Sequence, residues 1–181
     1  MERDKQHRER LFVAAAEVSA LGAPTVARIV EHAGVGRSTF YEFFDSPEHL
    51  LEQLEQRVLR GVEAALAEAL TEARTPLERV RALARHFIGE LEAHPLEARF
   101  ALAHRLGRPV LSPAAAPLHR ALQHVAEGAR AEGVGWFRGA DETSLLAAAA
   151  AIEGLARHHL GPAPIPDAAK VMADLIIKLL R

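Results

Sequence analysis

The chain has 181 residues, enough for one large or two small domains with a substantial apolar core, and its lack of cysteine excludes a disulfide framework, a thiolate zinc site and a cysteine nucleophile. A formal net charge of -2 excludes a uniformly basic nucleic-acid coat, so any polyanion must be met by locally placed cations. The longest apolar run, Leu145 to Ile152, falls far short of the roughly 20 residues of a bilayer span, and the charged opening MERDKQHRER lacks the apolar stretch of a secretory signal, so a cytoplasmic protein with no membrane partner is expected.

Helical periodicity dominates, and no alternating apolar run bounded by turn signals reads as a strand. The expected class is all-α, with glycine and proline breakers dividing the chain into about nine helices. The first, near 4–21, carries Leu11, Ala14, Ala15, Val18 and Leu21 at spacings of three and four, and Gly22 suits its left-handed stop. Thr25 can cap a second helix with Val26, Ile29, Val30 and Ala33 on one face. A third lies within GVGRSTFYEFFDSPEHLL, residues 34–51, and Ser46 then caps a long fourth helix with Pro47 at its first position and Glu48 near the positive end of its dipole. Thr75-Pro76-Leu77-Glu78 repeats that start signal for a fifth helix, with Val80, Leu83, Ala84, Phe87, Ile88 and Leu91 inward. Further helices are expected over 95–106, about 115–132, 141–160 and 167–180, the last two being the most apolar.

The glycine-turned stretch has the composition of a helix-turn-helix. Ala33 is small enough for two helices to approach, Gly34 accepts the positive φ of the turn, and Val35 plugs the angle between them. Phe40 and Phe44, one turn apart, pin the third helix from below. Arg37, Ser38, Thr39 and Tyr41 then face outward near a helix N-terminus, where the dipole and free amides favour a phosphate.

The segment TVARIVEHAGVGRSTFYEFFDSPEHLL resembles the DNA-binding segment of the TetR (tetracycline-repressor-like) transcriptional regulators, through Thr25, Ile29, Ala33, Gly34, Val35, Thr39, Phe40, Tyr41, Phe44, Ser46, Glu48 and Leu50. Three positions depart from the family pattern: Gly36 stands where a serine usually caps the recognition helix, Pro47 where a lysine usually opens the fourth helix, and Phe43 where a polar residue is frequent. Glycine is an acceptable cap, whereas Pro47 removes a phosphate contact. The resemblance implies a DNA-binding domain over residues 1–46 that contacts a double-stranded operator through Thr25, Arg28, Gly36, Arg37, Ser38, Thr39, Tyr41, Phe43 and Pro47. Arg3, Lys5, Arg8 and Arg10 crowd the N-terminal arm and offset the net negative charge locally.

For residues 47–181 the resemblance implies a domain that binds an unknown small-molecule effector and the partner subunit of a homodimeric repressor. Effector binding would shift a population in which the fourth helix sets the separation of the two recognition helices. Leu59, Val62, Leu66, Leu83, Phe87, Phe100, Leu122 and Val125 are expected to line the effector cavity, with His86, Arg99, His104 or Arg105 as polar ends, although the same aliphatic residues also suit a plain core. Leu145, Ala149, Ile152 and Ala156 form one seam and Ala168, Met172, Leu175 and Leu179, widened by Ile176 and Leu180, another; they suit an isologous four-helix dimer interface or the chain's own core.

Other chemistry finds little footing. His119/His124 and His86/His94 miss the i, i+3 or i+4 spacing of a helical metal pair, and no esterase, zincin or phosphate-loop motif occurs, so neither a metal, a cofactor nor an enzyme is expected. The alternative to a DNA-binding regulator is a helical binding or scaffolding protein of the same fold with weak or lost DNA binding, which Pro47 favours.

Overall fold

The computed structural model describes residues 2–103, 110–137 and 140–181. Among these the chain is all-α, with nine α-helices, one 3-10 turn at Gly135–Phe137, and no strand. The helices are α1 (Glu2–Leu21), α2 (Val26–Ala33), α3 (Arg37–Phe43), α4 (Pro47–Glu72), α5 (Pro76–Ala93), α6 (Pro95–Leu102), α7 (Ala116–Ala131), α8 (Glu142–His159) and α9 (Ala168–Leu179).

Local signals set most of the starts. The hydroxyls of Thr25, Ser46 and Thr75 accept from the amides of Arg28, His49 and Glu78, and the Glu78 carboxylate returns a bond to the Thr75 amide at 3.0 Å, closing a capping box. Asp141 caps α8 by accepting from the Ser144 amide at 2.7 Å. α6 stops at Leu102, short of the expected span, because Ala103 turns to an extended conformation; the remainder of that span, 104–106, lies outside the described residues. α9 begins differently again, after Asp167 in the left-handed region at φ 51°, with no side-chain cap.

Two large apolar cores result, beside a small cluster of Leu111, Ala115 and Ala149. The first joins Leu11, Phe12 and Ala15 of α1 to Ile29 and Val30 of α2, Phe40 of α3, and Phe44, with Leu50 and Leu54 of α4 completing it. In its aromatic heart the rings of Phe12 and Phe44 pack edge-on at 5.5 Å and those of Phe40 and Phe44 lie tilted at 5.9 Å. The second core begins one turn further along α4, at Val58, and continues through Val62, Leu66 and Ala69. Around it α5 packs on α4, α7 and α9, while α8 lies between α7 and α9. At about 1.5 Å of rise per residue, the 26-residue α4 is a rod of about 39 Å that belongs to both cores.

Where the cores meet, Arg57 of α4 ties three helices. Its Nη1 donates to both carboxylate oxygens of Glu9 on α1, at 2.7 and 2.6 Å, its Nε lies 3.5 Å from Oε2 of Glu97 on α6, and its guanidinium stands 5.4 Å from the centre of the Phe12 ring. Glu97 is only 4% exposed. Burial pushes its carboxyl above the ordinary range, outweighing the opposite pull of Arg57 and His94.

Two expected outcomes follow from this arrangement. Leu54→Ala empties a fully buried site in the shared rod and should cost about 2–5 kcal/mol, read as a lower urea midpoint with an unchanged m-value. For Glu97, a raised folded-state pKa means a stability contribution that is complete below the unfolded value and lost as pH rises through the folded one. Glu97→Gln removes that loss, so the melting temperature of the variant minus that of the parent should become more positive between about pH 4 and about pH 7; a difference moving the other way would show that the Arg57 pairing outweighs burial.

Candidate nucleic-acid interface and the helix junction behind it

The turn between α2 and α3 is built by backbone geometry. Gly34 adopts φ 60°, ψ 41°, its amide donates to Glu31 O at 3.2 Å and the Val35 amide to Val30 O at 3.1 Å, closing α2. A side chain at Gly34 would be strained by that φ and would also stand 2.6 Å from Nη2 of Arg10, which donates to the Gly34 carbonyl. Gly36, extended at φ -79°, ψ 159°, opens α3 without a side-chain cap, as expected of a serine's replacement.

On α3, Phe40 is wholly buried while Arg37, Ser38 and Tyr41 are exposed, Tyr41 by 57%; Thr39 is half-buried beside them. Phe43 lies half-buried against the first core, its ring 6.4 Å from that of Phe44, so it supports the helix more than it projects from it. Thr25 is the N-cap of α2 and Pro47 the first residue of α4, and Arg28 holds the loop before α2 by donating to Ala23 O at 3.0 Å. Arg8 and Arg10, read from sequence as arm cations, have structural engagements: Arg8 stands 5.6 and 5.9 Å over the Phe12 and Phe44 rings, and Arg10 bonds the turn. Arg3 and Lys5 are exposed on the first turns of α1.

The residues named for the effector do not gather in one place. Val62, Leu66, Leu83, Phe87, Leu122 and Val125 are packed in the second core, none more than 3% exposed, and Leu59 is half-buried outside it. His86 is occupied at the surface of α5, with Nε2 2.8 Å from Glu72 and Nδ1 3.9 Å from Glu68; that hydrogen bond, with one from Arg85, holds the Glu72 carboxyl below its ordinary range. His104 and Arg105 lie outside the described residues. Arg99 and Phe100 instead face a cavity of about 520 Å³ between α1 and α6, shared with Leu51 and Pro24, which sequence periodicity did not signal.

The dimer seams likewise turn inward. Leu145, Ala149, Ile152, Ala156, Ala168, Met172 and Ile176 are all within 5% of complete burial inside a single chain, so a partner would find nothing of them left to cover; Leu175 is half-buried and Leu179 exposed. The reason is the position of α8, whose Leu145, Ala148 and Ile152 fill the second core alongside Met172 and Ile176 of α9. Apolar surface on these two helices is left on other faces, at Ala147, Ala151 and Leu155 of α8 and at Val171, Leu175 and Leu179 of α9.

Among the described residues no helix is long and apolar enough to cross a membrane, and no three His, Asp or Glu side chains converge as a metal ion would need.

Residues 13–54 match the family model described as bacterial regulatory proteins, tetR family. No curated protein sequence matches the chain. Among solved structures, a TetR family regulator of Rhodococcus RHA1 is 20% identical with a TM-score of 0.74, covering 96% of each chain. The TetR family regulator PfmR of Thermus thermophilus is 22% identical with a TM-score of 0.69, over 93% of this chain and 97% of its own. Thermus thermophilus FadR, a TetR family repressor solved with lauroyl-CoA, is 23% identical with a TM-score of 0.60, over 96% of this chain and 93% of its own. At such identities the structures establish a shared fold from end to end, and the family match is confined to the helix-turn-helix segment, residues 13–54.

Proposed function

We propose that this protein is a ligand-responsive repressor that grips a two-fold operator as a homodimer, with residues 1–46 on the DNA and residues 47–181 serving the effector and the partner subunit. The observation that carries the reading is α3, pinned by the buried Phe40 with Arg37, Ser38 and Tyr41 left facing solvent. In this reading Arg37 and Thr39 enter the major groove, while Thr25, Tyr41 and the amides at the start of α4 hold phosphates. The reading assigns the protein no catalytic activity and a cytoplasmic site of action. A small-molecule effector draws support from FadR, a repressor of this fold solved with lauroyl-CoA.

For the dimer, the residual apolar stripes are the surfaces of choice. Val171, Leu175 and Leu179 step by four along α9, and the small residues Ala147, Ala151 and Gly154 on α8 permit close helix approach. Two such helices from each subunit form a self-complementary patch.

Three measurements test the reading. In titrations on a selected operator, Arg37→Ala should cost about 1–3 kcal/mol and relax preference at one base pair per half-site, whereas Tyr41→Phe should weaken all sequences alike. Pro47→Lys should steepen the slope of log affinity against log salt by about 0.9 per added phosphate contact, hence about 1.8 for a dimer. Leu175→Glu should turn a sedimenting dimer into a monomer that keeps its helical spectrum. Absence of operator binding in the parent protein would favour the scaffolding alternative instead.

A further inference from the structure

The cavity between α1 and α6 lies at the junction of the two cores, outside the packed interior of the second. Its walls are apolar: Ala20 of α1, Pro24 of the following loop, Leu51 of α4, and Leu96 and Phe100 of α6. The volume, about 520 Å³, sits within the roughly 300–1,000 Å³ usual for small-molecule sites. It exists because α1 presents alanines, Ala16 and Ala20, where larger side chains would close the gap. Apolar surface extends onto the rim, with Leu96 38% exposed and the neighbouring Leu21 71% exposed.

Three polar groups line this space and none has a partner among the described residues. Ser19 Oγ is out of contact with solvent and makes no hydrogen bond, an unusual state for a hydroxyl, which as a rule finds a partner when buried. Arg99 on α6 and Glu17 on α1 form no ion pair with any described residue. One wall therefore offers a cation and the other an anion, while the Ser19 hydroxyl is shielded behind the wall.

We propose that this cavity is the effector site, and that its ligand is an uncharged molecule with an apolar body and a single amide-type head. The proposal rests on the ligand-responsive reading above, amends it by drawing part of the effector site from α1 and the loop after it, within residues 1–46, and names the ligand class it leaves open. An amide matches both charged groups at once: its carbonyl accepts from the Arg99 guanidinium, and its N–H donates to the Glu17 carboxylate. A carboxylate head would gain from Arg99 but meet Glu17, and an ammonium head the reverse, so balanced walls select against either net charge. The coupling is geometric. Glu9 and Glu97 stand on α1 and α6, the two helices that wall the cavity, and both reach Arg57 of α4; an occupant that widens the gap strains that tie and, through α4, the setting of the recognition helices.

The test uses three probes with the same eight-carbon chain, N-octylacetamide, nonanoate and octylammonium, titrated calorimetrically into the full-length protein without DNA. The expected result is saturable binding of one N-octylacetamide per chain, at least tenfold tighter than either charged probe. Arg99→Gln and Glu17→Gln, both outside the cores, should each weaken it about tenfold, the ordinary worth of a charge-assisted hydrogen bond. Ala20→Leu, on the exposed side of α1, should abolish it by filling the space while leaving the melting temperature close to that of the parent. Equal or tighter binding of nonanoate, no binding of the amide, or binding indifferent to Ala20→Leu would overturn the site. Operator titration at saturating N-octylacetamide then separates the two readings: weakened operator binding supports the effector role, unchanged operator binding overturns that role, and failure to bind operator at all overturns the repressor reading without altering what calorimetry says of the cavity.

Discussion

Everything in this molecule hangs on a single helix being obliged to finish two cores. Leu50 and Leu54 of α4 complete the first, and Val58, Val62, Leu66 and Ala69 build the second, with no interruption of the helix between them. A rigid rod buried at both ends cannot rotate or tilt against one core without moving in the other, because close-packed interiors resist small displacements. Magnitudes identify what holds the join. Each fully buried leucine or phenylalanine contributes about 1.5–3 kcal/mol, whereas a partly exposed ion pair such as Arg57–Glu9 adds about 0–1 kcal/mol. Apolar burial supplies the strength of the junction, and the Arg57 pairs, directional and partly desolvated, set its angle.

The same separation of strength from direction explains how a chain of net charge -2 can present a locally cationic face. Of the cations near the N-terminus, Arg8 lies against Phe12 and Phe44, Arg10 on the Gly34 carbonyl, Arg28 on the Ala23 carbonyl and Arg57 between two carboxylates. These hold the helix-turn-helix in shape. Arg37 is left outward on α3, with Arg3 and Lys5 on the exposed start of α1. Field strength at a binding face follows from such placement within a Debye length of about 10 Å, and the sum over 181 residues says little about it.

Small side chains do two different jobs in the larger half of the molecule. Within it, Ala84, Ala126, Ala148 and Ala156 are buried and let α5, α7, α8 and α9 approach closely, so that Phe87, Phe137 and the leucines around them fill the remaining space. At the α1–α6 contact alanines have no bulky partner to receive, and the space they leave stays open beside Leu51 and Phe100. Identical residue types thus yield dense packing in one place and a cavity in another, according to what faces them.

That contrast marks the division between local and long-range information. Helix starts at Thr25, Ser46, Thr75 and Asp141, the glycine-closed turn at Gly34, and the burial of Phe40 against outward Arg37 all depend on residues within about one or two turns of each other, and so the sequence alone determines them. Periodicity also identified the apolar faces of α8 and α9. It did not say what those faces meet: Leu145, Ile152, Met172 and Ile176 suit a partner subunit and an internal core equally well, and the packing of α5, α7, α8 and α9 in one chain took them inside. Nor does anything near Glu97 mark it for burial, or anything near Arg57 announce a bond to Glu9, 48 residues away. The cavity is the extreme case, since it is defined by side chains that α1, α4 and α6 fail to supply to one another. Capping and amphipathic spacing are energies of neighbours along the chain; burial, ion pairing at a distance and empty volume are properties of how finished helices are placed, and only the tertiary structure decides them.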